Sequence, residues 1–247
     1  MKGLKRLVFC AFLVAGVAQA DELEDKVNAA LASDARTAAE KARDANRKPL
    51  ETLRFFGLED DMRVVELVPG GGWYTKVLAP VLRENGQLYV ALGANRVRDM
   101  LDQDVFDGVE FIDTRSTFDR TQPFGFNNLD RVDLGVSDID LVVTFRNLHN
   151  FTAEARDMIN RAVFDSLKSG GHYGVIDHTA RHMEPVTREN RRRMDPVVAI
   201  KEIVDAGFEF VGHSDLHYRP DDELEYEVGR RSVTGNTDRF TLLFRKP

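Results

Sequence analysis

The chain has 247 residues, of which 43% are hydrophobic, 30% charged and 9% aromatic. These proportions are near the globular average and exclude a collagen-like or low-complexity polymer. The net charge of −7 excludes a broadly basic surface that would collect nucleic acid. Because Cys10 is the single cysteine, an internal disulfide framework and a CxxC metal or redox site are excluded as well.

The first twenty residues have the layout of a secretory signal peptide. Lys2, Lys5 and Arg6 precede a short apolar run, Leu7–Ala18, and Ala18-Gln19-Ala20 forms a small-x-small cleavage site. The alternative is a membrane anchor, but the run has about 12 residues, whereas a spanning helix needs ~20. We therefore expect a periplasmic or secreted protein that begins after residue 20 and has no stable membrane insertion.

The next segment, residues 21–57, is predicted to be an N-terminal helical cap. Asp21–Arg47 is rich in Ala, Glu, Lys and Arg and lacks Gly and Pro, which favours one or two exposed helices lying over a surface. Pro49 then opens a short helix, Leu50–Phe56, which Gly57 ends.

Residues 58–247 are predicted to form one α/β domain, because strand-length apolar runs alternate with helical stretches. The predicted strands are Val64–Val68, Leu88–Leu92, Val109–Ile112, Ile139–Phe145, Tyr173–Ile176, Phe208–Val211 and Phe240–Phe244. The predicted helices are Tyr74–Arg83, Arg96–Leu101, Ala153–Leu167 and Asp195–Ala206. Nearly continuous apolar strands separated by helices indicate a Rossmann-like, doubly wound, mostly parallel seven-stranded sheet covered on both faces.

The turn after the first strand is the most informative motif. Pro69 is followed by Gly70, Gly71 and Gly72 and then by a helix start, an arrangement that lets backbone approach a ligand at the carboxyl edge of the sheet. A dinucleotide fingerprint is disfavoured because Thr75 stands at the third glycine position and no acid ends the second strand. A P-loop is excluded because no Gly-Lys-Ser/Thr follows the glycines.

Three motifs together resemble class I S-adenosylmethionine (SAM)-dependent methyltransferases. Val65–Gly72 resembles the family's first motif, Asp140–Val143 with Asn147–Asn150 resembles its fourth-strand motif, and Leu167–Gly171 resembles its L-K-P-G-G turn. The chain is most similar to exported methyltransferase-like proteins that share the Pro-Gly-Gly-Gly-Trp-Tyr loop. The resemblance implies the methyltransferase fold, SAM as cofactor and a small-molecule substrate.

The resemblance also implies which residues contact the cofactor. Glu66 would organise the loop and the amino group, the glycines would accommodate the methionine end, and Asp113 would read the adenine amine. Asn95 stands where the family holds the ribose with an acid. The full implied set is Glu66, Pro69, Gly70, Gly71, Gly72, Tyr74, Asn95, Asp113, Phe145, Arg146 and Asn147.

Two departures from the family pattern keep a second hypothesis open. Val68 replaces the family's first glycine, and the ribose-binding acid is absent. Export would also separate the protein from a cofactor that is made in the cytoplasm. The alternative to an enzyme is therefore a non-catalytic binding or sensory module that retains the fold.

Histidines at two predicted strand ends are the candidate catalytic groups. His149 follows the fourth strand and Asp177-His178 end the fifth, so all three would lie at the same edge of the sheet. A neutral imidazole can accept a proton from a nucleophile, and Asp177 can orient that imidazole. The alternative is that His149 only hydrogen-bonds loop backbone and that His178 is a surface turn residue.

Three further features have two interpretations each. The pairs His178/His182 and His213/His217 have i, i+4 spacing, but without a helical pattern or a further ligand they predict no metal site. Trp73 and Tyr74 either stack on a ligand or pack the loop against the N-terminal helices. A basic cluster is either a solvated surface before a helix capped by Asp195 and Pro196 or a clamp for an anionic substrate. The cluster consists of Arg188, Arg191, Arg192 and Arg193.

Overall fold

The computed structural model describes the backbone of residues 11–247 and the side chains from residue 22 onwards. The predicted signal peptide, residues 1–20, therefore lies outside the described residues for its first ten positions and for all of its side chains. Among the described residues, no helix is both long and apolar enough to cross a membrane.

Nine strands are described, and seven of them form one sheet. In chain order they are β1 (Arg63–Leu67), β2 (Gln87–Ala91), β3 (Glu110–Ile112), β4 (Phe118–Asp119), β5 (Asn128–Leu129), β6 (Ile139–Phe145), β7 (Leu167–His178), β8 (Glu209–Ser214) and β9 (Arg239–Arg245). The sheet order is β3-β2-β1-β6-β7-β9-β8, and within it β9 runs antiparallel to both of its neighbours. The predicted mostly parallel seven-stranded sheet is confirmed.

Eight α-helices are described around this sheet. They are α1 (Ala11–Ala32), α2 (Ala38–Lys41), α3 (Asp44–Arg47), α4 (Pro49–Phe55), α5 (Thr75–Leu82), α6 (Asn95–Arg98), α7 (Ala153–Ser166) and α8 (Pro196–Asp205). Side-chain caps fix several helix starts: Thr37 forms a capping box with Glu40, Thr152 accepts from Ala155 N–H, and Asp195 accepts from Val197 N–H.

The two faces of the sheet are covered by two apolar clusters, and neighbouring residues of β1 point into different ones. Val64 packs in the cluster with α1, α4 and α5, whereas Val65 packs in the cluster with α7 and α8. Strand order reverses at β1, because β2 lies on one side of it and β6 on the other. This switch point opens a crevice at the carboxyl ends of β1 and β6, where ligands bind in open α/β sheets.

The N-terminal segment is part of the core, contrary to the expectation that it lies only over a surface. Leu23, Val27 and Ala30 are buried in the same apolar cluster as α5. Their spacing of four and three residues is the core-facing repeat of a helix. The short β4–β5 pair is a second difference, since the polar stretch that forms it gave no strand pattern.

Candidate functional site

The glycine loop after β1 has three residues in the left-handed backbone region. They are Val68 (φ 52°), Gly70 (φ 61°) and Gly72 (φ 76°). A Cβ atom placed on Gly70 or Gly71 would meet nothing within 4 Å, so these two residues border open space. Only the absence of side chains keeps this space free.

This space is a cavity of about 280 Å³, which we call the glycine-loop cavity. Eight of the eleven residues that the resemblance assigned to the cofactor line it. They are Glu66, Pro69, Gly70, Gly71, Tyr74, Phe145, Arg146 and Asn147. Glu40, Arg43 and Arg47 from the N-terminal segment complete its polar lining.

Gly72, Asn95 and Asp113 do not line this cavity, so their contacts with a cofactor stay predictions. A Cβ on Gly72 would approach Val97 Cγ2 to 3.3 Å, so this glycine permits close helix–loop packing. Asn95 and Asp113 are exposed at the ends of β2 and β3, and Asp113 accepts a hydrogen bond from Arg115 N–H at 3.0 Å. Their exposure follows from the loops after β2 and β3, which strand-end position alone does not fix.

Glu66 is a buried carboxyl group at the base of the glycine-loop cavity. Its Oε2 accepts a hydrogen bond from Thr75 Oγ1 at 2.6 Å. Burial raises the pKa of Glu66 from 4.5 to about 7, although the Thr75 hydrogen bond and the Arg47 guanidinium act in the opposite direction. Glu66 is therefore a partly protonated group that a ligand cation can ionise.

Trp73 and Tyr74 pack the loop against the N-terminal segment and also line the glycine-loop cavity, so their packing role is observed and their contact with a ligand stays a prediction. Trp73 Nε1 donates to Glu40 O at 3.1 Å, and the Arg47 guanidinium lies 4.2 Å from the Trp73 ring centroid. The Tyr74 ring stacks on Phe145 with centroids 3.6 Å apart and planes 8° from parallel.

The segment after β6 closes the other side of the cavity. Asn147 Nδ2 donates to Val68 O at 2.9 Å and so connects the two strand ends at the switch point. Arg146 has a φ of 65°, and its backbone N–H donates to Ile176 O at 2.6 Å. A non-glycine residue in this conformation is strained, a condition that concentrates at functional sites.

His149 and Asp177 form a buried hydrogen-bonded pair, as their strand-end positions predicted. His149 Nδ1 lies 2.5 Å from Asp177 Oδ1, and His149 N–H donates to Asp177 Oδ2 at 2.9 Å. The neutral tautomer that fits this contact has its proton on Nδ1, which leaves a lone pair on Nε2. This is the arrangement of an oriented general base.

His178 lies beside this pair, with ring centroids 5.6 Å from His149. Its Nδ1 is 2.9 Å from Thr237 Oγ1. Burial, followed by the charges of His149 and nearby arginines, lowers the pKa of His178 well below 6.5. His178 is therefore a neutral imidazole near pH 7.

His149 and His178 line a larger cavity of about 690 Å³, which we call the histidine cavity. It adjoins the glycine-loop cavity, since Arg43, Arg47, Arg146 and Asn147 line both. Asn46, Thr237 and further arginines, Arg192 and Arg239, also line it, whereas none of its lining residues is acidic.

The four arginines of the basic cluster before α8 have different surroundings, so neither the solvated-surface nor the anion-clamp interpretation describes all of them. Arg193 is buried and makes two hydrogen bonds to Asp222, at 2.8 and 2.9 Å, so its role is structural. Arg192 pairs with Glu227 while lining the histidine cavity. Arg188 is exposed and Arg191 half-buried, and neither lines either cavity. Asp195 and Pro196 cap α8 as expected.

The paired histidines do not meet. His182 is exposed beside Asp195, while His217 is buried and contacts Thr241 Oγ1 at 2.7 Å and Arg47 O at 2.9 Å. No cluster of three or more metal-ligating side chains occurs in the part of the chain that the structure describes.

The sequence interpretation missed the N-terminal arginine of the site, Arg47. It lies on a helix far along the chain from the glycine loop, and its 5% exposure depends on tertiary packing. One signal was available: Asp44–Arg47 is separated from α4 by a Lys-Pro step that forces a sharp corner.

A scan against protein-family models gave no match, and neither did a search of curated proteins. Solved structures do match. A SAM-dependent methyltransferase from Aquifex aeolicus is 16% identical, with a TM-score of 0.56 over 82% of this chain and 92% of that one. The chain has the class I methyltransferase fold.

Two other similar structures show how much chemistry this fold accepts. The glycopeptide N-methyltransferase MtfA, solved with SAM, is 14% identical, with a TM-score of 0.52 over 82% of this chain and 94% of that one. The [4+2]-cyclase SpnF is 15% identical, with a TM-score of 0.56 over 94% and 95%. Identities this low establish the fold alone, and function must be inferred from the site.

Proposed function

We propose that the protein is an exported, SAM-dependent methyltransferase that methylates a protic group of a small molecule. The observation that carries the proposal is the His149–Asp177 pair, since His149 lines a cavity adjoining the glycine loop. Cofactor cavity and base would then serve one reaction centre.

The residues of the glycine-loop cavity fit the methionine end of SAM. Gly70 and Gly71 leave room for it, and the Glu66 carboxyl group can receive an ammonium group. The methyltransferases of similar fold, one of them solved with SAM, support the same cofactor.

When bound, SAM supplies a methyl group already activated by its sulfonium charge. The protein's own contribution is to position the acceptor and to remove its proton. His149 Nε2 accepts that proton, and Asp177 holds the ring and stabilises the resulting imidazolium. His178 lines the same cavity as a neutral polar side chain and contributes no charge there.

Cofactor binding is tested with the chain's single tryptophan, Trp73, which lines the glycine-loop cavity. Titration with SAM and S-adenosylhomocysteine should change its fluorescence, and calorimetry should give matching affinities. Gly71→Leu places a side chain in the open space and should abolish binding. Gly212→Leu is the matched control, because a Cβ there also meets nothing within 4 Å but lies on β8. Binding only in the millimolar range would refute the proposal.

The base is tested with labelled SAM and a small-molecule extract as methyl acceptor. His149→Ala should abolish methyl transfer while leaving S-adenosylhomocysteine affinity within about twofold, because the base acts on the acceptor. His182→Ala, which removes an exposed histidine that also pairs with an aspartate, should leave transfer unchanged. Full activity of His149→Ala would exclude its role as the base.

Export is proposed from the signal-peptide layout of residues 1–20. Mass spectrometry of protein recovered from the periplasm or medium should give a chain that begins at Asp21. An intact Met1 terminus on a cytoplasmic protein would contradict it.

A non-catalytic binding or sensory module is the second candidate. It is favoured by Asn95, which stands in place of the ribose-binding acid and, like Asp113, does not line either cavity. Small-molecule binding without any SAM affinity would support this candidate.

A further inference from the structure

Arg47 is buried without a partner. Among the side chains that the structure describes, four arginines are at most 5% exposed, and three of them have partners: Arg36 pairs with Asp44, Arg193 with Asp222, and Arg239 donates to Asn46. Arg47 makes no ion pair within residues 22–247, and its buried Nε has no hydrogen-bond partner there. Leaving a buried cation unpaired is costly, so such a group indicates a missing anion.

The position of Arg47 is fixed by several contacts. Its carbonyl oxygen accepts hydrogen bonds from His217 Nε2 at 2.9 Å, Thr52 Oγ1 at 3.2 Å and Tyr74 Oη at 3.3 Å. Its guanidinium lies 4.2 Å from the Trp73 ring centroid. The hydrogen bonds fix the backbone of Arg47 and the indole ring packs against its guanidinium, so the group is preorganised and loses little entropy when it binds.

Arg146 and Arg43 lie around the same space. Both line the two adjoining cavities together with Arg47, and neither makes an ion pair in the described chain. Burial is the main cause that lowers the pKa of Arg47, and the positive charges of Arg146 and Arg43 are the next. The three guanidinium groups therefore repel one another when no ligand is bound.

Little negative charge offsets these cations apart from Asp177, which acts on Arg146 and already accepts three hydrogen bonds. The histidine cavity has no acidic lining residue. In the glycine-loop cavity, Glu40 is paired with Lys76, and a pKa of about 7 leaves Glu66 only about half ionised at neutral pH. A ligand with a single carboxylate would neutralise one of three cations.

We propose that Arg47, Arg146 and Arg43 bind a dianionic phosphate group where the two cavities meet. Guanidinium forks match phosphate oxygens in pairs, and several such forks suit a doubly charged group. If the proposed methyl transfer holds, this group belongs to the substrate, which is then a phosphate monoester. The anion site itself does not depend on that reaction.

The test is calorimetry on the full mature chain without SAM at constant ionic strength. The probes are inorganic phosphate, phenyl phosphate and acetate. Both phosphates should bind with a dissociation constant of about 1 mM or below, and acetate should bind at least about tenfold more weakly. Tighter binding of phenyl phosphate identifies an ester as the ligand, whereas tighter binding of inorganic phosphate identifies the free ion.

Variants separate the site from general charge effects. Arg47→Met, Arg146→Met and Arg43→Met should each weaken phosphate binding about tenfold or more. Arg131→Met, which removes the same charge from an exposed position away from the cavities, should bind as the wild type does. Because Arg43 is exposed, its variant is expected to fold whatever happens to the buried ones.

Two results would overturn the proposal. One is equal phosphate binding by the wild type and Arg43→Met, or no binding by the wild type. The other is competition between phosphate and S-adenosylhomocysteine, which would assign the arginines to the methionine carboxylate. Phosphate binding without SAM affinity would refute the proposed methyl transfer while supporting the anion site.

Discussion

His149 Nδ1 and Asp177 Oδ1 are 2.5 Å apart in a part of the site where the carboxylate has no solvent exposure. Asp177 also accepts the backbone N–H groups of His149, at 2.9 Å, and His178, at 2.7 Å. Three hydrogen bonds to one buried carboxyl group fix the orientation of the His149 ring. This geometry supports the proposed role of the pair as an oriented base.

Asp177→Asn should remove this orientation. The Asn amide would place an N–H group opposite one of the donors that now hydrogen-bond to the carboxylate. The His149 ring would also lose its anionic partner. We expect methyl transfer to fall about 10²- to 10⁴-fold. In proton NMR, the low-field Nδ1 proton of His149 should be present in the wild type and absent in the variant. Asp195→Asn, next to exposed His182, should leave that signal unchanged, and its loss there would contradict the assignment.

Glu66→Gln should stabilise the protein at alkaline pH. The folded pKa of about 7 is above the unfolded value of 4.5, so the free energy of unfolding decreases as pH rises from 4.5 through 7. The free energy of unfolding is about 3 kcal/mol lower well above pH 7 than well below pH 4.5. Gln keeps the Thr75 hydrogen bond and has no charge, so urea unfolding between pH 5 and 8 should show a flatter profile. Exposed Glu110→Gln should follow the wild type. If the free energy of unfolding of Glu66→Gln changed with pH as that of the wild type does, the assignment of Glu66 as a buried carboxyl group with a raised pKa would be contradicted.

His217→Leu should weaken the anchor of Arg47. At pH 7.5 we expect a loss of about 1–3 kcal/mol in the free energy of unfolding, because Arg47 O and Thr241 Oγ1 each lose a partner. Burial lowers the pKa of His217 in the folded protein to about 4. The free energy of unfolding therefore decreases as pH falls below 6.5, because the unfolded chain binds a proton that buried His217 does not. The variant should lack that part of the acid destabilisation. His213→Leu, at an exposed position, is the control, and identical behaviour of the two would exclude the anchor.

Arg193→Met should destabilise the protein by about 3–5 kcal/mol, because Asp222 would remain as a buried charge without its cation. Arg188→Met, five residues earlier in the same basic cluster, should change the free energy of unfolding by no more than about 0.5 kcal/mol. Thermal and urea unfolding measure both. Similar values for the two variants would mean that burial does not distinguish them.

Local patterns in the sequence predicted the sheet well. Ile139–Phe145 has the predicted bounds, and the other predicted main-sheet strands all overlap the observed ones. Buried parallel strands need continuous apolar runs, so the signal is local and strong. The β4–β5 pair was missed because Phe118 and Leu129 pair across a polar loop whose order depends on long-range contacts.

For the candidate site, the sequence identified the residues that strand ends position. Strand topology alone brings Glu66, the glycine loop, His149 and Asp177 to one edge, because parallel strands end at the same side of a sheet. Asn95 and Asp113 are exposed at the ends of β2 and β3, outside the two cavities, and their predicted contacts with the cofactor stay predictions.

The charge of the site was decided only by the tertiary structure. Arg47 and Arg193 are both arginines on polar segments, and nothing local tells which one is paired. Packing gave Arg193 a carboxylate and left Arg47 beside Trp73 with none, because the N-terminal segment folds over the crevice from a distant part of the chain. Periodicity and turn chemistry act over a few residues and fix strands and their ends, whereas charge pairing depends on contacts between segments far apart in sequence.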